Sequence, residues 1–128
     1  MAHREKAHDQ LLVVEQESGG AVILSAAGTI DMLTAPQLQQ RVDSVVSRHP
    51  AALIVDLSRV EFLASAGIGV LVGIHNNADG MAYSVVAHGP ATSRPLKLLG
   101  IDTMFEVYPS VAEAVNGLGS PADEAECG

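Results

Sequence analysis

Apolar positions fall along this chain in short blocks, and the spacing inside each block names the element it builds. Leu11 to Glu15 and Ala21 to Ala26 are apolar runs on either side of Glu17-Ser18-Gly19-Gly20, the signature of two antiparallel strands around a glycine-containing turn. Thr34 followed by Ala35-Pro36 reads as an N-cap with proline in the first turn. The spacing Leu38, Val42, Val45, Val46 then predicts an amphipathic helix over 35–48, closed by Pro50. Leu53-Ile54-Val55, ending at Asp56, suits a strand near 52–56 that is buried on both faces. A second apolar piece, Val60 to Leu63, leads into Ser65. Beyond it Ile68, Leu71, Val72 and His75 recur on one helical face, and Asn77-Ala78-Asp79-Gly80 supplies an ending, so a helix is expected over 66–78 with Ser65 at or next to its N-cap. A strand near 82–87 stops at Gly89-Pro90, a short helix near 92–99 stops at Gly100, an edge strand follows near 105–108, and Pro109-Ser110 opens a last helix near 110–117. The order β-β-α-β-α-β-α-β-α predicts an α/β fold: one mixed sheet of about five strands, with an opening antiparallel hairpin, and about four helices on one side.

The helix after Ser65 has an unusual composition. Gly67, Gly69 and Gly73 lie inside it, and each costs about 1 kcal/mol relative to alanine in a helix interior. Val70 and Ile74 fall outside the Ile68/Leu71/Val72 face, so apolar side chains wrap around more than one stripe. Something approaches this backbone closely. Two readings stand: close packing of the helix on the sheet, or a face that docks a partner.

Three blocks resemble a known family. Asp56-Leu57-Ser58-Arg59-Val60-Glu61-Phe62-Leu63-Ala64-Ser65-Ala66-Gly67-Ile68-Gly69-Val70-Leu71 is similar to the central motif of the STAS family, the domain shared by sulphate transporters and anti-sigma factor antagonists. Gly28-Thr29-Ile30-Asp31-Met32-Leu33-Thr34-Ala35-Pro36-Gln37-Leu38 resembles the family's Gly-x-Leu-Asp-x-x-Thr-Ala-Pro segment, and Pro95-Leu96-Lys97-Leu98-Leu99-Gly100-Ile101 resembles its late helix more weakly. In this order and at this separation the blocks imply one STAS domain spanning nearly the whole chain, expected over 10–117.

Length and charge narrow the function. A chain of 128 residues is one domain with a single core, and with 3% aromatics and no Trp that core is built from Val, Leu, Ile and Ala. Residues 1–9 read as a flexible tail and the Gly-, Pro- and acid-rich residues 118–128 as a disordered acidic one. A formal net charge of −8 with only seven scattered Lys and Arg argues against nucleic acid and for proteins with basic surfaces. No apolar run approaches the ~18 residues of a membrane span, and the N-terminus has no signal-peptide core, so a cytoplasmic protein is expected. Cys127 is the single cysteine, an incidental thiol on the tail.

Enzyme chemistry is missing from the pattern. His3, His8, His49, His75 and His88 show no metal-ligand spacing, and His75 reads as a partly buried helix residue. Ala64-Ser65-Ala66-Gly67 is no nucleophile elbow, and Gly67 to Gly73 carries no lysine for a phosphate-binding loop. Neither a metal nor a cofactor is expected, and the chain is expected not to be an enzyme.

Ser65 and Asp31 each carry two readings. Ser65 is either a plain N-cap, contributing about 1 kcal/mol, or, as the resemblance implies, the acceptor of a phosphate from an anti-sigma factor that is also a serine kinase. Asp31 is either a loop carboxylate accepting N–H bonds at the helix entry or, by the same resemblance, a surface acid beside Ser65. Ala64 stands where the family's pattern has an acid, and Ala66 where it has a second hydroxyl. The resemblance further implies an anti-sigma factor antagonist that frees a sigma factor, a partner with a histidine-kinase-like ATPase fold, and a phosphatase acting on Ser65. The partner surface is expected over Asp31, Ser65, Gly67, Ile68, Gly69 and Val72. The rival reading is a non-switching STAS subunit of a larger lipid-transport or stress-sensing complex, with Ser65 only a cap.

Overall fold

A computed structural model describes residues 11–77 and 80–117. The tails expected at 1–9 and 118–128, and Cys127 with them, lie outside the described residues. Strands β1 (Leu11–Ser18), β2 (Ala21–Ile30), β3 (Ala52–Leu63), β4 (Ala82–Val86) and β5 (Glu106–Tyr108) form one sheet in sequential order. Helices α1 (Ala35–Val46), α2 (Ser65–Asn76) and α3 (Ser93–Leu98) connect them, a 3-10 turn covers Ile101–Thr103, and α4 occupies 111–117. β1 and β2 pair antiparallel, and every later neighbour is parallel. The hairpin turns at Gly19 and Gly20, whose φ values of 55° and 89° are the left-handed conformations a two-residue turn requires.

Two strands run further than their apolar runs suggest. β2 continues to Ile30, beyond the apolar run that ends at Ala26, and β3 to Leu63, beyond the expected end at 56. Register shifts between Ser25 and Ala27 and between Gly28 and Thr29 let the pairing resume past Asp56, and Gly28, at φ 112°, takes the backbone conformation one of them needs. Thr29 and Ile30 therefore stay paired, opposite Phe62 and Leu63, and carry the sheet up to the start of α2.

The sheet is covered on both faces. Leu24, Leu53, Val55 and Val85 point to a core shared with Leu38, Val42 and Val45 of α1, Ile68 and Leu71 of α2, and Leu96 of α3. Ile23, Ile54 and Val86 alternate to the other face, where Ala114 of α4 packs on them with Val111 and Val115 beside it. Four helices all on one side were expected; three lie there and α4 takes the opposite face. The reason is the central strand: Leu53, Ile54 and Val55 are each fully buried, so neither side of β3 can be left open.

Side chains fix the layers to one another. Arg41 of α1 donates to the carbonyl of Val13 on edge strand β1 at 3.1 Å, and Arg41 and Arg48 flank Glu15, which puts cations on an edge otherwise open to another strand. Tyr83 of β4 donates to the carbonyl of Leu71 in α2 at 3.0 Å and stacks obliquely on Phe105, ring centres 5.0 Å apart. Burial pushes its phenol well above the ordinary tyrosine range.

Ser84, opposite Ile54 on β4, is fully buried, and its hydroxyl has no hydrogen-bond partner among the described residues. An unsatisfied buried hydroxyl costs about 1–3 kcal/mol. Ser84→Ala is therefore expected to raise stability by about 1 kcal/mol in urea unfolding, with an unchanged m value. A loss of stability would reveal a partner for the hydroxyl.

Candidate functional site

The end of β2 and the start of α2 are joined backbone to backbone. Ala64 N–H donates to Ile30 C=O at 2.8 Å, directly after the Ile30–Leu63 pair. Gly67, one turn on, is buried against the same residues: a Cβ there would overlap Ile30 Cγ2 and lie 2.7 Å from Leu63 Cδ1. For this glycine the packing reading holds.

Ser65 is the first residue of α2 and is exposed. The N-cap is Ala64, extended at φ −88° and ψ 171°, and no side chain caps the helix. Ser65 therefore lies next to the N-cap, one of the two placements its spacing predicts, and the plain N-cap reading of it is not met. One position beyond the cap, its Oγ lies outside the place from which a cap reaches the first-turn N–H groups. The first-turn N–H groups of a helix have no intrahelical partner. Here Gly67 N–H bonds back to the Ala64 carbonyl at 2.9 Å, and those of Ser65 and Ala66 lie beside a serine hydroxyl at the positive end of a 12-residue helix.

Asp31 organises the loop beside it. Its Oδ1 accepts N–H bonds from Leu33 at 2.9 Å and Thr34 at 3.1 Å, and its carbonyl accepts from Ala35 at 2.8 Å. Thr34 sits at the N-cap of α1, but its hydroxyl turns away from that helix, accepting from Asp31 N–H at 2.9 Å and donating to Thr29 C=O at 2.7 Å. The loop-carboxylate reading of Asp31 therefore describes its contacts. Asp31 and Ser65 each lie one residue beyond the Ile30–Ala64 bond, so the fold brings both to the same end of the sheet.

The other expected surface residues divide. Gly69 is exposed and Val72 half-buried on the outer side of α2, whereas Gly67 and Ile68, expected at the surface, are turned into the core. The helix is apolar on several sides because a broad arc of it, from Gly67 through Ile68, Val70, Leu71 to Ile74, is buried. His75 is exposed, not partly buried, with its ring 5.9 Å from that of Phe105. Gly69 and Gly73 have nothing within 4 Å of where a Cβ would stand, so no contact within the described residues requires them to be glycine.

Three residues not singled out by the pattern belong to this end of the molecule. Met32 and Leu33, in the Asp31 loop, are 77% and 68% exposed, and Phe62, paired with Thr29 just before α2, is 55% exposed. Met32 and Leu33, adjacent large apolar side chains so open to water, mark a candidate interaction surface. The signal was present in Met32-Leu33, two apolar residues inside a polar turn and outside any period.

Comparison with known proteins gives a consistent picture. The STAS domain family profile matches residues 13–114. The anti-sigma-F factor antagonist RsfB of Mycobacterium tuberculosis is 35% identical over 113 residues, which is 88% of this chain and 93% of that protein. The crystal structure of an anti-sigma factor antagonist from Mycobacterium paratuberculosis superposes with a TM-score of 0.84 at 39% identity, covering 86% of this chain and 95% of that one. The Bacillus cell fate determinant SpoIIAA in its phosphorylated form shares the fold at a TM-score of 0.64 and 14% identity, over 84% and 99% of the two chains.

The three helix glycines make a discriminating set. Gly67→Ala is expected to destabilise by about 1–3 kcal/mol through overpacking. Gly69→Ala and Gly73→Ala are each expected to stabilise by up to about 1 kcal/mol, since they gain helix propensity at no steric cost. Thermal unfolding of the three variants checks the order.

Proposed function

Because this chain belongs to the STAS family, we propose that it acts as an anti-sigma factor antagonist, binding an anti-sigma factor of the histidine-kinase-like serine kinase class and so freeing a sigma factor for transcription. Binding uses the Asp31 loop, with Met32 and Leu33, and the outer side of α2 at Ser65, Gly69 and Val72. Phosphate transfer to Ser65 ends the binding, and a phosphatase restores it. The chain itself performs no catalysis: the kinase supplies nucleotide and catalytic groups, and this protein supplies the hydroxyl.

The observation that carries the reading is the state of Ser65, exposed at the first position of α2 and not employed as the cap. With Ala64 as N-cap, no side chain competes for the N–H groups of Ser65 and Ala66, which are left to a phosphate on Ser65. Ala66 removes any second hydroxyl from the turn, so a single acceptor remains. A dianion at a helix N-terminus stabilises the helix by roughly 0.3–1 kcal/mol, so modification leaves the fold intact. Its effect falls on the interface, where about 1.5–2 units of negative charge enter a surface flanked by the Asp31 loop and exposed apolar side chains. Desolvating that charge costs about 2–4 kcal/mol of binding, or roughly 30- to 1000-fold in affinity.

Ser65→Asp and Ser65→Glu are expected to keep a native circular dichroism spectrum and to bind a purified anti-sigma factor of this class roughly 30- to 1000-fold less tightly in calorimetric titration. Ser65→Ala is expected to bind normally and to resist release by ATP. Equal affinity for the acidic and alanine variants would remove the switch and favour the rival reading, a non-switching STAS subunit of a larger complex.

A further inference from the structure

Between the C-terminal halves of α1 and α2 lies an open groove of about 300 Å³. Val42 and Ile74 form its buried floor, half-buried Val46 one wall, Gly73 the other, and Asp43 and Asn77 stand among its lining residues. We propose that the groove is the far half of the anti-sigma factor's footprint, taking an apolar side chain of the partner with a cation next to it. The proposal rests on the function given above.

Continuity and charge identify the occupant. Gly73 lies eight residues beyond Ser65 on α2, about 12 Å along the helix at 1.5 Å per residue. That is well inside the breadth of a standard interface, which covers roughly 800 Å² on each partner. A partner resting on Ser65, exposed Gly69 and Val72 reaches the groove without leaving α2. The groove stays open because position 73 has no side chain: a Cβ there would touch nothing within 4 Å, so a larger residue would simply fill it. Helix propensity disfavours glycine at this position and packing within the described residues does not call for it. Half of its lining residues, Val42, Val46, Gly73 and Ile74, are apolar and the rest polar, so it offers an apolar floor inside a polar rim.

The rim favours a cation. Asp43 is exposed, and its carboxylate accepts one hydrogen bond among the described residues, from Gln39 Nε2 at 2.8 Å. The basic residues of the same helix region are engaged elsewhere, Arg41 and Arg48 with Glu15 at the β1 edge. Among the described residues no cation of this chain forms a salt bridge with Asp43, and the chain as a whole carries a formal −8. A partner's Lys or Arg supplies the missing charge.

The test uses the full chain, purified anti-sigma factors of the histidine-kinase-like class from the host, and two variants, Gly73→Leu and Asp43→Lys. Gly73→Leu is expected to unfold at or above the wild-type temperature, because leucine is the better helix former, yet to bind at least tenfold more weakly. Asp43→Lys is expected to bind several-fold more weakly, with a deficit that shrinks as salt rises. Wild-type affinity for both variants would overturn the proposal while leaving the Ser65 reading in place. Should Gly73→Leu fail to fold, unchanged affinity of Asp43→Lys overturns it alone. A wild-type dimer that Gly73→Leu dissolves without weakening anti-sigma binding would assign the groove to a second copy and likewise overturn it. If the wild-type chain binds none of these anti-sigma factors, the functional reading fails and this proposal fails with it.

Discussion

At Gly67 the backbone of α2 approaches the sheet so closely that no side chain fits between it and Ile30 and Leu63. The backbone bond from Ala64 to Ile30 holds the helix start at the same place. Much of the site follows from this contact. An α-helix turns about 100° per residue, so the residue two positions before the contact points about 200° away from it. Seating Gly67 on the core therefore turns Ser65 to solvent. The same bond sets the Asp31 loop beside Ser65, because Ile30 and Ala64 are the residues that precede them.

On the proposed function, stability and recognition are separated along α2. Its inner arc, Gly67, Ile68, Val70, Leu71 and Ile74, belongs to the core, and Tyr83 ties the carbonyl of Leu71 to β4. Its outer side carries Ser65, Gly69, Val72 and Gly73, none of them wholly buried. Asp31 belongs with the structural group, since its carboxylate folds the loop that displays Met32 and Leu33. A modification on the outer side can thus change what the surface binds while the packed inner arc stays as it is.

Much of this was legible in the sequence. The hairpin at Gly19-Gly20, the helix from Ala35, the buried Leu53-Ile54-Val55 strand and the helix after Ser65 follow from spacing and turn chemistry. The length of β2 and β3 was not, because register shifts interrupt the apolar runs that would have marked it. The two-sided burial of β3 was visible in its unbroken apolar run, yet which helix covers the second face depends on how β5 leads into α4, a tertiary matter. The three glycines of α2 read alike in sequence. Only their surroundings separate Gly67, which packing demands, from Gly69 and Gly73, which it does not. Capping by Ala64 was hidden as well, since an alanine carries no capping signal and Ser65 beside it does.

On the proposed function, partner recognition belongs to one end and one side of the molecule, the Asp31 loop and the outer side of α2. Titrating the uniformly ¹⁵N-labelled chain with an unlabelled anti-sigma factor and following its backbone amide resonances tests this directly. The account predicts that the largest shifts fall in residues 31–34 and along α2 from Ser65 onward, with α4 and β5 little changed. Shifts concentrated on α4 and β5, with the Ser65 amide unmoved, would contradict it.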